Sequence, residues 1–464
     1  MTETAAPAGT GRVSAAGRFG WAMFDWANQP YFTLVTTFIF APYFATQVIG
    51  DATEGQAAWG YVQAAAGLVI ALLSPVLGAI ADAHGPKKPW ILAFQALAVL
   101  SCAALWYAVP DGRLWPVLLA LALASVAAEF SIVFNNAMLP SLVPDSHLGR
   151  LSGRAWGLGY AGGLVALFLV LFGFSLPETP LFGLDKALYE HDRIVGPLSG
   201  LWMAVFVLPL FLYTPDSARR GPSLAHAVGA GLARIAQSLR EARRLANVGR
   251  FLLARMFYQD GLTALFVFGG IYAAGSFGWK SETLGIFGIV ISLFAALGAF
   301  VGGWLDDRLG SKRAIAIALV GVLLASLGVV SIAVVPIGNG VARHTVAFVY
   351  SYDWRPEPGA GIFSSPAERT FLGLAVAIGI FGGPLQAASR TMLSRLAPPG
   401  MVGELYGLYA LSGKATAFLA PLAVALATEG FASQRLGVAA ILLFLLLGLV
   451  LLAGVREERA SLSL

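Results

Sequence analysis

Residues Gly78–Lys88 read GAIADAHGPKK, and Gly303–Arg313 read GWLDDRLGSKR. Laid end to end they pair Gly78 with Gly303, Asp82 with Asp307, Gly85 with Gly310, Lys87 with Lys312 and Lys88 with Arg313. Both stretches separate one long apolar run from the next. Two further echoes follow the same order: LVPDSHLGRLSG (142–153) against LAPPGMVGELYG (396–407), and AMFDWAN (22–28) against RMFYQDG (255–261). Three echoes offset by about half the chain point to an internal duplication, and duplicated sets of membrane helices are a carrier architecture.

Composition agrees. Of 464 residues 58% are hydrophobic and only 12% charged, whereas soluble domains carry about a quarter charged residues. Apolar runs reach the ~20 residues that cross a bilayer. Spans are expected near 20–49, 57–82, 89–109, 114–140, 152–176, 195–213, 250–275, 283–306, 313–336, 369–393, 403–428 and 435–455. The expected fold is therefore an all-α polytopic membrane protein with twelve transmembrane helices in two pseudo-symmetric six-helix bundles. The divisions are a tail (1–19), a first bundle (20–214), a connector (215–248), a second bundle (249–456) and a second tail (457–464). Helical spacing of apolar residues in the connector, with arginines between them, predicts an amphipathic helix at the membrane surface. The long interval 337–368 alternates over Thr345–Tyr352 and carries a Pro/Gly cluster, which predicts an external hairpin.

Of the 30 lysines and arginines, 21 fall on the side of the two termini, eight on the other, and Lys414 lies within a span. The positive-inside rule then expects both termini in the cytoplasm and a multi-pass protein of the cell (inner) membrane. It also explains the basic pI without a nucleic-acid partner. Cys102 is the lone cysteine, which leaves no disulfide within the chain. The first 20 residues contain no apolar core, so no cleaved leader is expected. There is no G-x-x-x-x-G-K-[ST] loop, and the five histidines sit far apart in loops. No cofactor, no metal and no enzymatic activity are expected.

The paired loops resemble the cytoplasmic signature of the major facilitator superfamily. The second copy keeps that pattern well; the first departs from it, with Ala83 and Pro86 where arginines are common. FDWANQPY, SPVLGAIAD, FNNAMLP, GRAWGLGYAGG, RMFYQDG, GGIYAAG, GPLQAASR and LYALSGKATAF resemble the UMF1/Atg22-like branch of the superfamily. That resemblance implies the major facilitator fold, alternating access, a lipid bilayer around a monomer, and a small-molecule substrate. Its eukaryotic members imply amino-acid efflux. Alternatives are an efflux carrier for amphipathic compounds or lipids, and a membrane sensor or scaffold that no longer transports.

Polar groups within spans are costly unless they face a cavity or a partner. They concentrate in spans one (Asp25, Asn28), four (Glu129, Asn135, Asn136), seven (Tyr258, Gln259, Asp260) and ten (Gln386, Arg390), with Lys414 in span eleven. In the superfamily, spans one, four, seven and ten line the central cavity. Glu129 lies deepest and is the first candidate for proton coupling, with a fixed ion pair and a substrate contact as alternatives. Lys414 suits a substrate carboxylate, or neutralises Glu129 or Asp25. Asn135 and Asn136 point about 100° apart, so one can face a cavity while the other joins helices. Gln386 and Arg390, four apart, form one donor face. Trp26, Tyr31, Trp156 and Tyr160 either line the cavity or pack. Pro30 removes a backbone donor and frees the carbonyl of Trp26, which predicts a kink beside Asp25 and Asn28. These two residues are expected to form half of a polar cytoplasmic gate, with Arg255, Asp260, Arg390 or Lys414 opposite.

The duplicated loops are expected to latch one conformational state, with simple topological anchoring as the alternative. Gly78 and Gly303 would allow close helix approach, and Asp82 and Asp307 would cap a neighbouring helix. Lys87, Lys88, Lys312 and Arg313 would hold the anionic leaflet. Gly85, Arg308 and Gly310 complete the motif.

Overall fold

A computed structural model of the chain describes residues 13–83, 86–143, 148–216, 245–336, 342–346, 350–354, 361–396, 409 and 412–457. Ten helices among them are long and apolar enough to cross a membrane. Two interrupted segments complete the set of twelve. Span one runs as Ala15–Pro30, Tyr31–Phe38, Phe40–Tyr43 and Phe44–Val48. Span eleven is described at Tyr409 and over 412–430, with an α-helix from Leu419 to Gly430. The other spans are Ala52–Ala83, Lys88–Ala104, Leu114–Leu142, Leu148–Val170, Val195–Tyr213 in two pieces, Ala246–Phe277, Ser281–Leu309, Ser311–Ser331, Pro366–Leu396 and Gln434–Ala453. The expected connector helix falls mostly on 217–244, outside the described residues.

Packing repeats the duplication. In the first bundle span one packs on five and six, span four on two and three, and span three on six. In the second, span seven packs on eleven and twelve, span ten on eight and nine, and span nine on twelve. The bundles meet where span two lies on span eleven and span five on span eight, again an exchanged pair.

The expected kink in span one has a definite form. Just past Pro30 the helix widens to π geometry, ending with Ile39 N–H donating to Leu34 O across five residues at 3.1 Å. The carbonyl of Trp26, deprived of its donor at Pro30, accepts instead from the Trp202 indole N–H at 3.0 Å. Span one is thus held to span six at the residue where it opens. It also lies close to span five, where a Cβ added at Gly162 would meet Trp26 O at 2.9 Å.

The helical bundles carry one small sheet. Span nine, expected to reach residue 336, ends at Ser331. Ala333–Pro336 (β1), expected as its last turn, instead pairs antiparallel with Ala342–Val346 (β2). β2 pairs antiparallel with Tyr350–Trp354 (β3), with Thr345 opposite Ser351, so the expected hairpin is present and gains a third strand. Adjacent β-branched residues and Pro336 favour that strand over another helical turn.

Candidate functional site

Both described ends of the chain lie on one face, the terminal face; the other is the distal face. Midway between them Lys414 forms an ion pair with Glu129. The pair joins span eleven of the second bundle to span four of the first. Both side chains keep about a quarter of their surface accessible (25% and 27%).

A second set of groups lies toward the terminal face. Arg390 on span ten stands 5.0 Å over the Trp156 ring of span five. Its charge reaches Tyr160, one turn further on, and Asp25 on span one. Trp156 and Tyr160 are tilted rings 5.8 Å apart, and both are exposed. Gln386 is half-buried one turn along from Arg390, and Asn136 is exposed. Carboxylates from the first bundle therefore face cations from the second at two levels: Glu129 with Lys414, and Asp25 with Arg390.

Other sequence candidates serve packing. Asn28 is buried, donating to Phe24 O at 2.9 Å and accepting from Gln95 of span three at 2.9 Å. It is thus turned into the first bundle, away from a gate shared with Asp25. Asn135 is buried, and its backbone carbonyl accepts from the Trp21 indole at 2.8 Å. Tyr258 is fully buried, its hydroxyl 2.6 Å from Ser389 Oγ and its Cβ against Gly448; it lines no central space. Tyr31 likewise packs, 2.8 Å from Ser125 Oγ. Gln259 stays partly exposed and reaches Thr263 at 3.3 Å. Asp260 and Arg255 are buried between spans seven and eleven, without joining Asp25. Sequence reasoning does not single out Gln95 or Trp202; each is one polar group in an apolar span, a weak signal.

The duplicated loops are organised by two carboxylates outside the motif. Asp216, three residues past span six, accepts from the backbone N–H groups of Lys87 (3.0 Å) and Lys88 (2.8 Å) at the start of span three. Glu457, four residues past span twelve, accepts from Ser311 and Lys312, both at 2.9 Å, at the start of span nine. Each carboxylate satisfies open donors at a helix N-terminus, where the macrodipole favours negative charge. The donors shift by one residue for a covalent reason: Pro86 stands where Ser311 stands and has no N–H. The lysines correspond too. Lys88 Nζ donates to Phe211 O and Lys312 Nζ to Ala453 O, carbonyls in the last turns of spans six and twelve. These two lysines therefore grip protein carbonyls, where sequence expected lipid contacts.

The second copy is more elaborate. Arg395 bridges Glu457 (3.0 Å) and Asp306 (3.3 Å), and Ser311 Oγ donates to Asp306 at 2.6 Å. Gly310 takes φ +88°, a conformation costly for any residue with a Cβ. Arg308 lies 4.0 Å over the Trp304 ring, and Arg313 is exposed. Gly85 and the Asp82 and Asp307 side chains, like contacts of Gly78 and Gly303, fall outside the described residues. Burial pushes the Glu457 carboxyl up, but the hydrogen bonds from Lys312, Arg395 and Ser311 outweigh it and hold it below the usual carboxylate range. All these partners belong to the bundle that carries the loop.

On the distal face several polar contacts run between bundles. Gln56 of span two donates to Thr428 Oγ1 (2.8 Å) and Gln434 O (3.0 Å), while Gln434 donates back to Ala52 O at 2.8 Å. Tyr61 bonds to Glu429. Across from them Ser281 donates to Asp192, and Lys186 pairs with Glu282 at 3.6 Å.

The sequence matches the family described as vacuole effluxer Atg22-like over residues 47–150, 145–348 and 362–463. It is 24% identical over 446 residues to the MFS-type transporter YxiO of Bacillus subtilis (strain 168), covering 95% of each chain. It is 27% identical over 314 residues to autophagy-related protein 22 of Cryptococcus neoformans (serotype D, strain JEC21), covering 67% of this chain and 51% of that one. The chain thus spans nearly all of the bacterial relative and about half of the fungal one. Among solved structures, a D-xylose–proton symporter matches with a TM-score of 0.66 and 11% identity, covering 95% of this chain and 97% of that one. That likeness establishes the major facilitator fold. A chain whose paired bundles, duplicated loops and family match coincide in this way is a membrane transporter of the major facilitator type, and it belongs to the vacuole effluxer Atg22-like family.

Proposed function

We propose that this chain is a secondary carrier for a small organic solute bearing both charges, with amino acids the first candidates and export the candidate direction. It works as a monomer by proton-coupled alternating access, with both termini in the cytoplasm and the multi-pass body in the cell (inner) membrane. The observation that carries this reading is the Glu129–Lys414 pair, which spans the two bundles and stays partly accessible. Separating the bundles parts the two charges, which is unfavourable in a low-dielectric interior unless each finds a new partner. A zwitterion supplies both, its carboxylate to Lys414 and its ammonium to Glu129. Asp25 and Arg390 offer the same choice nearer the terminal face. The closed distal contacts support reading this state as one that faces the cytoplasm. A sugar or nucleoside carries no charges for this exchange.

Proteoliposomes test the reading with radiolabelled amino acids, sugars and nucleosides, with and without a pH gradient. Amino-acid flux in the native chain that disappears in Lys414→Met is the expected result. No flux of any solute, or flux indifferent to Lys414→Met, would remove the proposal. Gradient-independent flux would remove proton coupling alone. A second reading, efflux of an amphipathic compound, draws on the exposed Trp156 and Tyr160 beside Arg390; efflux of an aromatic cationic dye that fails in Trp156→Ala would favour it.

A further inference from the structure

We propose that Asp260, and not Glu129, is the proton-binding site of this chain: a neutral carboxylic acid in this conformation, held against the interrupted turn of span eleven. The proposal deepens the transport reading, which gives the proton a use, but the site stands independently of that reading. Glu129 has its counter-ion in Lys414. Asp260 has none within ion-pairing distance among the described residues. It is only 4% exposed, and among the described residues its Oδ2 has no hydrogen-bond partner.

The neighbouring groups leave Asp260 without a cation. On its own helix Arg255 is the nearest positive charge, but its guanidinium is engaged elsewhere. It donates to Tyr409 O (2.8 Å) and Ser412 Oγ (3.0 Å) and lies 3.5 Å over the Tyr409 ring. Span eleven brings Thr416 against Asp260, and the Thr416 hydroxyl is likewise buried. Lys414, the cation of span eleven, is bonded to Glu129. Span twelve contributes apolar atoms on either side, Leu445 and Phe444 at Gly261 and the Gly448 backbone at Tyr258. Span ten contributes Ser389, already bonded to Tyr258. An ionised carboxylate so placed would be buried without a paired cation, a cost of several kcal/mol that a proton removes.

Span eleven gives the proton a means of acting. Its α-helix is interrupted at 416–418, where Leu419 N–H bonds to Thr416 O (2.8 Å) and Ala417 N–H to Lys414 O (3.3 Å), each across three residues. Tightening of this kind leaves carbonyls short of their α-helical donors, and a carboxylic acid beside them is a donor. Loss of the proton turns that donor into an acceptor with a negative charge. The turn that carries Lys414, two residues before Thr416, must then rearrange.

Infrared difference spectra of the full chain in lipid nanodiscs test this without knowledge of the substrate. At neutral pH the native protein should show a protonated-carboxyl stretch with a component absent in Asp260→Asn and retained in Glu129→Gln, Asp25→Asn and Asp192→Asn. Asp260→Glu should restore that component at a shifted frequency, and it carries the test if Asp260→Asn fails to fold. A component unchanged in both Asp260 variants, or lost in Glu129→Gln, would overturn the assignment. In proteoliposomes, Asp260→Asn should abolish the response to a pH gradient while solute exchange persists. Absence of flux in the native chain would count against transport and leave the spectral result intact.

Discussion

Gln56 and Asp216 are both polar groups at the end of a helix in the first bundle, and they bond in opposite senses. Gln56, on the distal face, reaches Thr428 and Gln434 of the second bundle. Asp216, on the terminal face, reaches Lys87 and Lys88 of its own. The pattern extends to their neighbours: Ser281–Asp192 and Lys186–Glu282 cross between bundles distally, while Glu457–Arg395 and Arg395–Asp306 remain within the second bundle. A hydrogen bond within a bundle survives rigid-body rocking, whereas one between bundles must break. In the proposed alternating-access cycle the distal set would form the shut gate, and the terminal set would stiffen the bodies that move.

The largest expected effect comes from forcing the distal set apart. A Cβ at Gly60 of span two would lie 2.9 Å from both Ala425 Cβ and Pro421 O of span eleven, across the two bundles. Overpacking of this kind costs about 1–3 kcal/mol, which Gly60→Ala can relieve by parting the two bundles. Cys102 is fully buried, so a cysteine introduced at Tyr61 reports without background. Labelling of Tyr61→Cys by a membrane-impermeant maleimide should accelerate roughly tenfold in the Gly60→Ala background, one tenfold step per ~1.4 kcal/mol. Unchanged labelling would mean that the distal set does not hold the gate.

Next in size is the central pair. Lys414→Met leaves Glu129 without a partner and should lower the melting midpoint by several degrees, corresponding to about 1–3 kcal/mol for a pair that water partly reaches. The exchanged double variant, Glu129→Lys with Lys414→Glu, restores the pair and should recover the midpoint. Because it inverts which bundle carries which charge, it should still lose transport. Recovery of both would make the pair a strut between bundles and nothing more.

Fold and site were legible in the sequence to different degrees, for physical reasons. Bilayer-length apolar runs and the paired loops determine twelve spans and two bundles, since lipid tolerates little else. Pro30 foretold the opening of span one, because a missing donor is a covalent fact. The choice of Trp202 to satisfy Trp26 O depends on how spans one and six pack, and nothing local encodes it. The same holds for polar residues within spans. Asp25, Asn28, Glu129 and Asn135 look alike in a hydropathy profile, yet Asn28 turns into the first bundle while Glu129 meets a lysine 285 positions away. The strand at Ala333–Pro336 was hidden by its apolar side chains, which suit a span end equally well. Asp216 and Glu457 lie in segments with little similarity, FLYTPDS and LAGVREE, so the repeat is evident only once each carboxylate is seen on its helix.

The smallest effects concern those two carboxylates, and they determine how alike the two moving bodies are. Each caps a helix with charge-assisted hydrogen bonds, so removing the charge should cost about 1–2 kcal/mol. Glu457→Gln should cost more than Asp216→Asn, because Glu457 also holds Arg395. The native carboxyl of Glu457 lies below its ordinary value of 4.5, so the charged form stabilises the fold. That contribution is fully present above the ordinary value and is lost as the pH falls through the lower folded value. The difference in melting midpoint between native protein and Glu457→Gln should therefore be constant from neutral pH to about 5 and shrink only at more acidic pH. A difference that shrank near neutral pH would assign the effect to another group. Equal losses from Asp216→Asn and Glu457→Gln would show that Arg395 adds nothing to the cap, leaving two mechanically equivalent bundles.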